Sequence, residues 1–222
     1  MNNFEYIIVT GNQNGGKYYL YKILNLHEDI IMLPEISFPI HLMDAFCPPV
    51  ESLWNDGWYF VTFNGKTSTD DIKAAKEWHN TWTLPRINKY LDPMDIARRC
   101  CNLIASSLQK PFVGDINTMW AIRYPVWRKI LPDAKLITIR RKFEDIEKDI
   151  KKQWPAEEVD MQIQWRLKIE KILDNINEGL IVHVDNLKSK PEETIVSMIN
   201  YIGADINKID MDKAIEYTKF KD

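Results

Sequence analysis

The chain has 222 residues, 45% of them apolar, and a formal net charge of −3, which suits a single α/β domain with its own core. A protein that mainly coats nucleic acid is strongly basic, so this charge argues against such a role. No apolar run approaches the roughly 18 residues of a membrane span, and the N-terminus lacks the basic and apolar segments of a signal peptide. We therefore predict a cytoplasmic protein without a membrane span, and no cysteine or histidine spacing indicates a metal site.

The first predicted element is a short strand over residues 5–10, where β-branched residues cluster. The sequence GNQNGGKY follows at residues 11–18, and we call it the glycine loop. A helix is predicted from Lys17 to about Leu26, because apolar residues recur there at helical spacing. The chain thus begins with a strand, a glycine-rich turn and a helix, an order that is typical of phosphate-binding sites.

The glycine loop has the chemistry of an anion site. The first N–H groups of a helix have no internal partner and carry partial positive charge, and glycines let the backbone approach a phosphate. Lys17 adds a mobile cation, whereas Tyr18 stands where a nucleotide-hydrolysing P-loop has a Ser or Thr that holds Mg²⁺. We predict that the whole loop contacts a phosphate-bearing ligand: Gly11, Asn12, Gln13, Asn14, Gly15, Gly16, Lys17 and Tyr18.

The segment that follows carries fewer structural signals. An apolar run, DIIMLPE, predicts a second strand that Pro34 ends. Residues 36–92 are rich in proline and tryptophan and show little periodicity, and we interpret them as a variable segment that covers the substrate. A helix is then predicted over residues 92–109, with Asp92 as its cap and Pro93 in its first turn.

The second half of the chain alternates strands and helices. Strands are predicted at KPFVGD, AKLITIRR and LIVHVDNL, the last ending at Asp185. Helices are predicted between and after them, including TMWAIRYPVWRKIL, which Pro125 kinks or splits, and residues 157–176, with Trp165 on the buried stripe. This alternation predicts an α/β fold, with a mainly parallel sheet between layers of helices, in a single domain of residues 1–222.

Three blocks of sequence resemble the sulfotransferase family, whose members transfer a sulfuryl group from 3′-phosphoadenosine 5′-phosphosulfate (PAPS). The blocks are YLYKILNLHEDI in the first helix, ILPDAKLITIRR, and LIVHVDNLKSKPEETIVSMINYIGADI. They occur in the family's order and spacing. The resemblance implies a P-loop NTPase-like, three-layer α/β/α sulfotransferase architecture, with PAPS as co-substrate and no metal.

The resemblance also implies which residues hold the nucleotide. Arg141, or its neighbour Arg140, falls on the arginine that grips the 3′-phosphate, and Asp149 falls on a serine that is also a 3′-phosphate ligand. Residues 14–18 fall on the family's R-S-G-T-T, of which only Gly16 is retained. These substitutions bear on PAPS binding more than on the fold.

The resemblance implies transfer to a hydroxyl or amine of a small-molecule or carbohydrate acceptor. Lys17 is our candidate for the cation that stabilises charge on the bridging oxygen of the donor. The candidates for the base that takes the acceptor's proton are Glu35, His41 and Asp115. Asp115 ends a predicted strand at the carboxyl edge of the sheet, where open α/β sheets bind ligands.

Two alternatives remain open on the sequence. The altered glycine loop is compatible with a sulfotransferase fold that binds a ligand or partner without catalysis. The other alternative is a P-loop kinase of a small substrate, in which Lys17 grips a phosphate and Asp185 holds Mg²⁺.

Overall fold

A computed structural model of the chain describes residues 4–34 and 93–219. Two of the candidate bases, Glu35 and His41, lie outside the described residues, as does the variable segment 36–92. In the two described ranges, every helix is too short or too polar to cross a membrane.

The chain divides into two compact units, Met1–Ser37 together with Ile104–Asp222, and Phe38–Leu103. Of the second unit, the structure describes residues 93–103, which are helical. The single domain of residues 1–222 stays a prediction.

The described strands form one five-stranded sheet in the order β2-β3-β1-β4-β5. All four neighbouring pairs are parallel, so helices must carry the chain back between consecutive strands. Helices flank this sheet in a three-layer α/β/α arrangement, which confirms the predicted fold class. The strands are β1 Glu5–Gly11, β2 Ile30–Pro34, β3 Phe112–Ile116, β4 Lys135–Arg140 and β5 Leu180–His183.

The helices alternate with the strands through most of the described chain. The helix predicted around Pro125 is split in two, one of the two outcomes expected of this proline. The break falls at Arg123, and Pro125 lies in the first turn of the second helix. The helices are α1 Lys17–Leu24, α2 Pro93–Leu108, α3 Met119–Ile122, α4 Tyr124–Ile130, α5 Phe143–Gln153, α6 Ala156–Asp174, α7 Val184–Ser189, α8 Pro191–Ile202 and α9 Met211–Tyr217, with a 3₁₀ turn at Ile206–Lys208.

The largest apolar core lies between one face of the sheet and helices α1, α8 and α9. Its strand residues are mostly β-branched, as expected for strands that are covered on both faces. Truncating one of these side chains to Ala costs about 2–5 kcal/mol in a packed core. The core includes Ile7, Val9, Leu20, Ile23, Ile137, Ile139, Val182, Ile195, Met198, Ile199 and Ile202.

The structure corrects the predicted end of the last strand. β5 ends at His183, and Asp185 instead lies in the first turn of α7. Val184 and Leu187, three residues apart, are both buried while Asp185 is exposed, which is the pattern of a helix that packs on one face.

The buried stripe of α6 also differs from the predicted one. Trp165 is only half-buried, whereas its neighbour Arg166 is 2% exposed. Ile169 and Leu173 of the predicted stripe are buried, so the core-facing side is turned by less than one residue, toward Arg166. Its buried residues are Gln162, Arg166, Ile169 and Leu173.

Candidate functional site

The glycine loop connects the central strand β1 to helix α1. From β1 the chain goes to β2 on one side of the sheet, whereas from the neighbouring β4 it goes to β5 on the other side. In open α/β sheets, adjacent strands with diverging connections leave a ligand crevice at their carboxyl ends. The topology therefore places the glycine loop where a ligand site is expected.

Two glycines give the loop its shape. Gly16 has a φ of 93°, in the left-handed region that favours glycine. A Cβ atom on Gly15 would lie 2.7 Å from the backbone oxygen of Asn12, the same oxygen that accepts the Gly15 N–H at 3.1 Å. The turn thus closes on the Asn12 carbonyl, and a larger residue at either glycine would require the backbone to move.

Lys17 folds back across this turn. It is the first residue of α1, it is 7% exposed, and its Nζ donates to the Asn12 backbone oxygen at 3.0 Å. The ammonium therefore lies beside the loop, where it adds to the partial positive charge of the helix N-terminus. This arrangement suits an anion that carries several acceptor oxygens.

The side chain of Asn12 anchors the loop to α6. Asn12 is 1% exposed, and its Nδ2 donates to the backbone oxygen of Arg166 at 2.9 Å and to Glu170 Oε1 at 2.8 Å. Within residues 4–34 and 93–219, its buried Oδ1 has no hydrogen-bond partner. Asn12 therefore holds the loop in place through α6, a role that its position in the sequence did not indicate.

The remaining polar residues of the loop are half-buried or exposed. Tyr18 is 58% exposed, and its ring stacks on Tyr21 with centroids 5.2 Å apart, so the side chain covers the outer surface of α1. Gln13 is half-buried in the turn. Asn14 has a φ of 59° and donates from its Nδ2 to Gln153 Oε1 at 3.0 Å, which ties the loop to the end of α5.

Arg141 joins the loop to α5 from the other side of the crevice. Its Nη1 donates to the Asn14 backbone oxygen at 2.8 Å and to Asp149 Oδ2 at 2.5 Å. Two residues that the resemblance implied as 3′-phosphate ligands are thus bonded to each other. The structure brings Arg141 and Asp149 together with the glycine loop, in one hydrogen-bonded network.

The basic residues on either side of Arg141 are also matched by carboxylates. Arg140 Nη2 lies 3.0 Å from Glu170 Oε2 and pairs with Asp174 as well. Lys142 Nζ lies 2.7 Å from Asp185 Oδ2, and this hydrogen bond raises the pKa of Lys142 above its usual value. Every basic residue at the end of β4 therefore carries a partner of opposite charge.

Asp115, a candidate base, is buried in β3. It is 4% exposed, its Oδ1 accepts the Ile116 N–H at 2.8 Å and its Oδ2 accepts the Trp120 indole N–H at 3.0 Å. These two bonds join the strand to helix α3. The sequence had indicated the carboxyl edge for this residue but not its partner Trp120.

Arg166 is a charged residue near the loop that the sequence interpretation missed. Its guanidinium donates to Gln162 and lies 5.9 Å from the Trp154 ring centroid. Among the residues that the structure describes, its Nε has no hydrogen-bond partner. Burial lowers the pKa of Arg166 to about 10. Its spacing, four residues after Gln162 and three before Ile169, is the only signal that could have placed it on the buried face.

No protein-family model matches the sequence, and no curated protein sequence matches it. Solved structures do resemble the chain. The sulfotransferase domain of the Synechococcus PCC 7002 olefin synthase has a TM-score of 0.56 at 15% identity, covering 98% of this chain and 78% of that one. A sulfotransferase from Mycobacterium avium has a TM-score of 0.54 at 10% identity, covering 99% of this chain and 68% of that one.

A third similar structure is the sulfotransferase domain from the curacin biosynthetic pathway, with a TM-score of 0.52 at 11% identity. The similarity covers 99% of this chain and 78% of that domain. At such identities the likeness concerns the fold, and it agrees with the sheet order and the loop position found above. The chain therefore has the sulfotransferase fold, a parallel sheet between helices with a glycine loop after its central strand.

Proposed function

We propose that this protein is a sulfotransferase that moves a sulfuryl group from a nucleotide phosphosulfate to a hydroxyl or amine. PAPS is the donor that the family resemblance implies, and a small molecule or carbohydrate is the acceptor. The observation that carries the proposal is the glycine loop, in which a left-handed Gly16 and the folded-back Lys17 surround the start of α1. This loop follows the central strand of a sulfotransferase fold, at the sheet edge where open α/β sheets bind ligands.

The loop supplies the interactions that a 5′-phosphosulfate needs. The start of α1 is the positive end of its helix dipole, where the backbone favours an anion. The Lys17 ammonium, held at 3.0 Å from the Asn12 oxygen, stands beside this helix start. An oxyanion in the loop would share this ammonium with the Asn12 carbonyl, since an ammonium offers three donors.

In the proposed transfer the acceptor oxygen or nitrogen attacks sulfur, and the bond between sulfur and the bridging oxygen breaks. The electron pair of that bond stays on the departing nucleotide phosphate, and the acceptor's proton passes to a base. Donors fixed in advance near the bridging oxygen stabilise its developing charge, and we assign this role to Lys17. The reaction requires no metal.

Glu35 and His41 are the bases that we propose, and both lie outside the described residues. For Asp115 we propose a structural role rather than proton transfer. Both of its oxygens accept hydrogen bonds, from Ile116 and Trp120, and the burial of this carboxylate favours keeping them.

The first test is nucleotide binding without metal. We expect PAPS and adenosine 5′-phosphosulfate to bind in the presence of EDTA, as measured by calorimetry. The Lys17→Ala variant should bind each about 10- to 100-fold more weakly, because a hydrogen bond to a charged group contributes roughly 1.5–3 kcal/mol. Lys22→Ala is the matched control, since it removes an exposed lysine from the last turn of the same helix.

The proposal would be refuted if neither phosphosulfate bound at millimolar concentration, or if both lysine variants bound like the unaltered protein. Transfer of labelled sulfate to a panel of alcohols and amines then identifies the acceptor class. Binding of ATP in the presence of Mg²⁺, measured by the same calorimetry, tests the kinase alternative. That alternative is weakened by Asp185, its expected Mg²⁺ ligand, which lies in a helix and pairs with Lys142.

A further inference from the structure

Arg141 already forms an ion pair with a carboxylate of the protein itself, that of Asp149. The same nitrogen, Nη1, contacts the Asn14 backbone oxygen at 2.8 Å and Asp149 Oδ2 at 2.5 Å. The guanidinium and the carboxylate are each about one-quarter exposed, 24% and 26%. Arg141 is therefore fixed between the glycine loop and α5, with its charge matched by Asp149.

Among the described residues, the other two basic side chains at the end of β4 are also paired with carboxylates. Arg140 faces Glu170 and Asp174, and Lys142 faces Asp185. At the end of β4, four carboxylates thus face three cations. A further phosphate group, with a charge of about −1.5 to −2 near neutral pH, would have to break one of these ion pairs or add its charge beside the four carboxylates.

Within residues 4–34 and 93–219, the glycine loop offers donors to one phosphate-type group, whereas the cations at the end of β4 are already paired. We infer that the donor of this protein is a nucleoside 5′-phosphosulfate without a 3′-phosphate, and that Asp149 takes the place of that phosphate on Arg141. The inference rests on the proposed function and narrows its donor. Arg141 then acts as a positioning residue, because it holds the Asn14 carbonyl and so the shape of the loop.

The test compares two nucleotides on the unaltered protein by calorimetry. Adenosine 5′-phosphate and adenosine 3′,5′-bisphosphate differ only in the 3′-phosphate. We expect the bisphosphate to bind no more than about threefold tighter than the monophosphate, since this arginine is already paired. A preference of tenfold or more for the bisphosphate would overturn the inference while leaving the proposed function intact.

The same comparison of the two nucleotides is then made on the Asp149→Ser variant. This substitution removes the carboxylate from Arg141 and should make the protein prefer the bisphosphate by about tenfold or more, as a charge-assisted hydrogen bond to phosphate becomes available. Glu147→Gln is the matched control, because it removes another carboxylate from α5, one that pairs with Lys151 at 2.5 Å. The control should leave the ratio of the two affinities unchanged, and an unchanged ratio in Asp149→Ser would contradict the inference.

Arg141→Ala separates positioning from direct binding. As a positioning residue, Arg141 affects both nucleotides equally, so its loss should weaken both by a similar factor. A loss confined to the bisphosphate would instead identify Arg141 as a 3′-phosphate ligand and overturn the inference. Binding of neither nucleotide to the unaltered protein would refute the proposed function and this inference with it.

Discussion

Arg166 is a buried charge whose removal from water costs free energy of folding. Its backbone oxygen accepts the Asn12 side chain that anchors the glycine loop, and its own side chain is 2% exposed. In the described part of the chain, its hydrogen bonds go to Gln162 and no carboxylate pairs with it. Because folding lowers the pKa of Arg166 to about 10, the charged form is less stable in the folded state, and this cost persists at every pH below that value.

This arrangement predicts a non-additive pair of substitutions. Arg166→Met alone should lower the free energy of unfolding by about 1–3 kcal/mol, because it leaves buried Gln162 without its donor. The double variant Arg166→Met with Gln162→Leu removes both polar partners. Its free energy of unfolding should therefore lie within about 1 kcal/mol of that of the unaltered protein, or above it. Urea unfolding of the unaltered protein and the two variants measures this, and a double variant as unstable as the single one would contradict the explanation.

At the scale of elements, the 3₁₀ turn at Ile206–Lys208 is hydrogen-bonded, through Asp205 just before it, to the chain that follows α1. Asp205 Oδ1 accepts the Asn207 N–H at 3.0 Å at the start of the 3₁₀ turn, and the Asp205 backbone oxygen accepts from His27 Nε2 at 2.8 Å. The His27 ring also accepts the Asp29 N–H at 3.0 Å through Nδ1, so this ring carries its proton on Nε2. The turn thus fixes the chain that follows α1.

The pKa of Asp205 predicts how this turn responds to acid. Hydrogen bonding from Asn207 lowers the pKa of Asp205 below its usual value of 3.8. The folded state therefore gains stability from ionised Asp205 above about pH 4, and this gain is lost as the pH falls through the lowered value. Asp205→Ala should reduce Tm at pH 7 and reduce it less at pH 3, whereas the exposed Asp133→Ala should change Tm little at either pH. If Asp205→Ala lowered Tm by the same amount at pH 7 and pH 3, the hydrogen bond from Asn207 to ionised Asp205 would not be the cause.

At the scale of the whole molecule, the sequence predicted the features that depend on neighbouring residues and missed those that depend on contacts between distant ones. The strands β1 and β4, and the turn between β1 and α1, were predicted correctly, because β-branched runs and clustered glycines act over a few residues. The contacts of Asn12 with α6 were not, since they join residues more than 150 positions apart. The pairing of Arg141 with Asp149 also depends on how α5 leaves β4, which neither residue indicates alone.

Ligand binding should stabilise the unit that contains the loop as a whole. A nucleotide that binds only the folded state, at a concentration 100-fold above Kd, adds about 2.7 kcal/mol to the free energy of unfolding. Adenosine 5′-phosphate should therefore raise Tm in thermal unfolding followed by circular dichroism. At the same nucleotide concentration Lys17→Ala should show a smaller rise, and an equal rise in both proteins would place the nucleotide away from the loop.

The anchoring of the glycine loop has a consequence for the thermodynamics of binding. Asn12 is tied to α6, Asn14 to α5 and Arg141, and Lys17 to the turn itself. A loop that is held in this way loses little conformational entropy when a ligand arrives. The same rigidity makes it selective by shape, because a ligand with a different arrangement of oxygens must either forgo these donors or break the bonds that hold them.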